Sequence, residues 1–141
     1  MQRLVALLLA VILATLGLVH TYWALGGRSP SAATVPQVAG RAAFKPSRLG
    51  TLAVATALFV AATLVAIAGG LLTDPLSPPI ARVLTFGLGG VFLARSIGDF
   101  RLVGFFKRAR DSQFARLDTL FYAPLCLLLG LAALFVACHD V

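Results

Sequence analysis

The chain has 141 residues, of which 60% are hydrophobic and only 12% charged, with a net charge of +7. So little charge cannot coat a water-soluble domain, so lipid must be the solvent for much of the chain, and the length leaves room for one domain. The basic excess suits the flanks of membrane spans and contact with anionic lipids; it excludes nucleic-acid binding here, because the longest polar stretch is only about twenty residues.

The first apolar segment covers residues 4–25, "LVALLLAVILATLGLVHTYWAL". It is near the ~20 residues that carry a helix across ~30 Å of hydrocarbon. Its end, "HTYWALGG", is not a small-x-small cleavage site but an aromatic belt, so the segment is a span rather than a signal peptide. A polar loop over residues 26–48 follows, and "FKPSRLG" leads into a second span over 49–72. Ser77 is placed to cap a third helix, with Pro78 and Pro79 in its first turn, expected over 80–103. A second polar loop, 104–117, precedes a fourth helix over 118–138, in which Pro124 frees a carbonyl near Leu120 and predicts a kink. Uninterrupted apolar runs exclude the alternating pattern of a barrel. The fold class is therefore all-α, an integral membrane bundle of four transmembrane helices.

Small residues recur at helical steps: Ala53, Ala57 and Ala61 in the second span, Gly89 and Gly90 in the third. In lipid, helices associate through close backbone approach, so these are read as packing stripes. Loop one (26–48) holds Arg28, Arg41, Lys45 and Arg48, and the connection between the third and fourth spans, loop three, holds Arg101, Lys107, Arg108, Arg110 and Arg116. Only Arg3 and Arg82 lie on the other side. The positive-inside rule then puts both loops in the cytoplasm and both termini in the periplasm.

That orientation gathers the unusual residues at one mouth of the bundle: His20, Tyr22 and Trp23 on the first helix, Arg95 and Asp99 on the third, Asp118 and Tyr122 on the fourth. Ionisable groups at that depth need partners. Two readings stand: a clamp pairing Arg95 with Asp99 or Asp118, or a polar site for a charged headgroup or a proton relay. Arg101, Phe105, Phe106, Lys107, Arg108 and Arg110 suit the headgroup layer, aromatics inserted and cations on phosphates. Cys126 and Cys138 fall roughly 18 Å apart along one helix, too far for a disulfide. No metal-ligand spacing occurs, and no catalytic constellation. No cofactor is expected; haem at His20 is the weak exception, since His139 falls at the opposite face.

"HTYWALGG" (20–27) and "RLVGFFKR…FARLDTLFYAPLCLLLG" (101–130) resemble the bacterial family known as domain of unknown function 3995. Its members are small proteins with four predicted spans, and the resemblance extends over essentially the whole chain. It implies a bacterial inner-membrane protein and carries over no catalytic residue. Two functions are weighed. One is a non-catalytic accessory or interaction subunit, packed against a membrane-protein partner or a second copy. The other is a protein or small enzyme that binds a lipid or isoprenoid-like molecule through the polar cluster.

Overall fold

A computed structural model describes residues 1–28, 31–73 and 78–139. Its elements in chain order are α1 (Gln2–Ala24), the short α2 (Ser31–Thr34), a hairpin of β1 (Gln37–Val38) and β2 (Arg41–Ala42), α3 (Arg48–Ala68) and α4 (Pro78–Ile97). Then come α5 (Gln113–Leu117), a π-helical turn (Asp118–Tyr122) and α6 (Ala123–Cys138). α1, α3, α4 and the continuous segment Gln113–Cys138 are each long and apolar enough to cross a membrane. The protein is a four-helix membrane bundle. The expected cap Ser77 lies outside the described residues.

Helix ends follow the local chemistry. Past α1, Gly26 takes φ +100°, its N–H reaching the Trp23 carbonyl (3.1 Å) and that of Gly27 the Tyr22 carbonyl (2.9 Å). This left-handed glycine stop satisfies carbonyls the helix leaves open. α3 starts at Ser47, whose Oγ accepts the Gly50 N–H at 3.0 Å. α4 ends at Ile97 rather than near 103, because Gly98 adopts φ +93° and turns the chain.

α1 packs along α3 and α4 along α6, and the two pairs close through α3–α4 and α1–α6 contacts. The core is built from Ala6, Leu9, Leu13, Ala62, Val65, Ala81, Leu129, Ala133 and Val136. Small residues set the closest approaches. A Cβ on Gly69 would strike Ala6, and one on Gly89 would come 3.1 Å from the Gly130 carbonyl and 2.8 Å from Leu134. Gly89 therefore packs inward as expected. Gly90, Ala53 and Ala57 face outward, away from the bundle interior, and a Cβ on Gly90 would meet nothing within 4 Å. Ala61 is buried. Four-residue spacing places alanines on one face but cannot say that the face turns inward; on α3 the inward positions include Ala55, Ala62 and Val65.

The outer surface carries exposed Leu8, Val11, Val60, Val83, Phe86, Val91, Leu128 and Leu131. Such a belt is stable only against hydrocarbon. At one end Gln2 Nε2 donates to the carbonyls of Val136 (3.2 Å) and His139 (2.9 Å), so both termini share a face. At the other end α2 packs on α5, bringing the two long loops together.

Candidate functional site

Loop three is organised by Asp99. Its Oδ1 accepts the N–H groups of Arg101 (2.9 Å), Leu102 (2.7 Å) and Val103 (3.0 Å). Asp99 is exposed and outside the spans. The Val103 N–H above all, then those of Leu102 and Arg101, holds its carboxyl below the ordinary value, against a smaller opposing effect of burial. The carboxylate is thus spent on backbone and makes no pair with Arg95, although the two stand four residues apart on the sequence. The glycine stop at Gly98 removes Asp99 from the helix, and with it the facing geometry that i,i+4 spacing assumes.

The loop then folds back on the last turn of α4. Phe105 N–H bonds to the Ser96 carbonyl at 2.9 Å, and Gly104, at φ +85°, lies directly on Gly98. A Cβ on either glycine would collide with the other's backbone neighbourhood. This close crossing brings the next residues back over the bundle mouth and turns Lys107 inward. Lys107 is 2% exposed, and its Nζ donates to the carbonyl of Gly104 (3.0 Å), to Asp118 Oδ2 (3.1 Å) and to Thr119 Oγ1 (2.6 Å). The expectation that Lys107 meets lipid phosphate is therefore corrected: its ammonium faces the interior. No local pattern in "FFKRAR" distinguishes it from its neighbours.

Asp118 is the hub. Its side chain is fully buried; Oδ1 takes Arg95 Nη2 at 2.8 Å, and Oδ2 takes the Gly104 N–H at 2.7 Å together with Lys107. A buried carboxylate is tolerable only with such partners, since taking each charge from water costs several kcal/mol. Lys107 uses its three donors, and Thr119 passes its own proton to the Ala115 carbonyl at 3.1 Å. Within the cluster only Arg95 Nη1 is buried without a hydrogen-bond partner. The arrangement has no free nucleophile and no carboxylate oxygen left open. Its hydrogen bonds join α4, loop three and the fourth span.

The remaining candidates lie apart. Tyr122 donates its hydroxyl to the Ala33 carbonyl (3.2 Å) and packs its ring on buried Phe114 with centroids 5.9 Å apart, tying loop one to the fourth span. Tyr22 is exposed and covers Gly27. Arg101, Phe106, Arg108 and Arg110 stay at the surface, while Phe105 is half-buried. His20 and Trp23 belong to the α1–α3 side. The His20 Nδ1–H donates to the Leu16 carbonyl at 2.8 Å, and its ring meets Trp23 edge-on at 5.2 Å. Both line a cavity of about 730 Å³ with Phe44, Lys45, Arg48 and Val54. Of the seven polar candidates, Arg95 and Asp118 share one cluster and His20 and Trp23 line a separate cavity, while Tyr22, Asp99 and Tyr122 belong to neither. Depth in the membrane, which the sequence does reveal, says nothing about lateral position around the bundle.

A family model described as "Protein of unknown function (DUF3995)" matches residues 13–133. No curated protein and no solved structure matches the chain.

Proposed function

From the premise that the chain belongs to the DUF3995 family, we propose that this small membrane protein is a non-catalytic accessory subunit of the bacterial inner membrane. The observation that carries the reading is the use of the buried charges. Asp118 and Lys107 are engaged by protein partners throughout, which supports a fixed scaffold over a reacting centre. Rigidity at the loop face gives a partner a preformed surface and lowers the ordering penalty of association. Solubilisation in a mild detergent followed by native gel separation tests this. A stoichiometric membrane-protein complex is the expected result, and a monodisperse single chain would count against it.

The same proposal puts both loops in the cytoplasm, on the strength of nine Lys/Arg in those loops against Arg3 and Arg82 elsewhere. Alkaline phosphatase fused after residue 141 should then be active. An inactive fusion would reverse the topology.

A further inference from the structure

The cavity between α1 and α3 is not used by the clamp. One wall is apolar and aromatic, formed by Trp23, Phe44 and Val54, and His20 sits beside Trp23. Its rim carries Lys45 and Arg48. Neither cation has a hydrogen bond or ion pair among the described residues, whereas the polar atoms beside them are occupied. Ser47 Oγ accepts from the Gly50 N–H (3.0 Å), and the Thr51 hydroxyl donates to the Ser47 carbonyl (2.9 Å). No acidic residue occurs among the lining residues or anywhere in residues 26–48, whereas the other basic cluster, in loop three, has Asp99 and Asp111 beside it. Two exposed, unspent positive charges therefore stand over an apolar wall, at the start of the apolar helix α3. The cavity volume of about 730 Å³ is within the range of small-molecule sites.

We propose that this cavity binds a membrane lipid whose headgroup is a phosphomonoester. Lys45 and Arg48 engage the phosphate oxygens, and Trp23, Phe44 and Val54 cover the first carbons beneath. A phosphomonoester carries about −1.5 to −2 charges near neutrality, which two cations match, whereas a phosphodiester headgroup carries one. The cavity residues belong to α1, loop one and α3 and share no hydrogen bond with the Asp118 cluster, so lipid binding and subunit association are tested separately.

Trp23 is the single tryptophan and reports directly on this wall. The full chain is placed in phosphatidylcholine nanodiscs doped with phosphatidic acid carrying brominated acyl chains, which quench tryptophan. Phosphatidylglycerol with the same chains is the comparison. Quenching by phosphatidic acid should reach half-effect at a mole fraction roughly tenfold lower, the scale of one charged hydrogen bond. Lys45→Gln and Arg48→Gln should each remove the preference, and Arg101→Gln, in loop three, should keep it. Lys45→Arg should also keep it, so that loss in Lys45→Gln reads charge and not misfolding. Equal quenching by the two lipids would reduce the effect to general attraction by an anionic surface and overturn the proposal. So would a Trp23 response to inorganic phosphate alone that displaces the lipid, since the site would then take the free ion.

Discussion

Replacing Asp118 by alanine tests the clamp most directly. The substitution deletes the acceptor of Arg95 Nη2 (2.8 Å), the Gly104 N–H (2.7 Å) and Lys107 Nζ (3.1 Å). It leaves a lysine ammonium whose side chain is 1% exposed, with the Gly104 carbonyl and the Thr119 hydroxyl as its remaining partners. Removing one member of a buried ion pair costs about 3–5 kcal/mol, because the other charge stays behind. At about 2–4 °C per kcal/mol for a chain of this size, the detergent melting temperature should fall by roughly 6–20 °C. Helical circular dichroism during heating provides the measurement. Asp111→Ala is the control: Asp111 is exposed and has no partner among the described residues, so its change should stay within about 0.5 kcal/mol. Indistinguishable melting of the two variants would show that Asp118 is solvated and that the clamp does not exist.

Gly104→Ala places a Cβ on the Gly98 backbone at a positive φ; the strain, of order 1–3 kcal/mol, should loosen loop three and speed its cleavage by trypsin at Arg101 or Arg108. Gly89→Leu should split α4 from α6 and unfold the bundle in detergent, while Gly90→Leu, which points outward, should leave the melting temperature almost unchanged; equal losses would mean that the bundle packs differently. Asp99 has a folded pKa below its unfolded value, so its contribution is present above the unfolded value and is lost as pH falls through the folded one. Below about pH 4 loop three should become more protease-sensitive in the native protein, and Asp99→Asn should flatten that dependence; an unchanged pH profile in the variant would remove Asp99 from the account.

The four spans were legible because hydrocarbon demands about twenty apolar residues in a row, and the chain interrupts such runs only at its loops. That both long loops gather at one end and the termini at the other follows from the even number of spans, as the Gln2 contacts with Val136 and His139 show. The end of α4 was carried by Gly98, but the apolar residues Leu102 and Val103 beyond it made the helix look longer than it is. Arg95 and Asp118 could be paired in advance because both are ionisable at one depth. Lys107 could not, because its burial depends on the Gly98–Gly104 crossing, a tertiary contact with no linear pattern. Likewise the cavity at His20 arises where the hairpin of loop one meets the start of α3, and only Trp23 hinted at an interface there.

Pro124 predicted a kink, and the chain accommodates it with the π turn at Asp118–Tyr122, where the Ala123 N–H reaches back to the Asp118 carbonyl. The extra residue also resets angular phase. Asp118 and Gly130 are twelve positions apart, which at about 100° per residue in an unbroken α-helix would point them roughly 120° from each other. A single π insertion makes the stretch count as about eleven steps, closing the difference to roughly 20°. Hence the carboxylate that holds Arg95 and the glycine that seats Gly89 both meet α4 along one line. Removing one residue from 119–122 would leave eleven steps of regular α-helix and keep that line, whereas winding all twelve as α-helix would turn α6 by about 100°, so that the ion pair and the glycine seam could no longer be satisfied by the same helix at once.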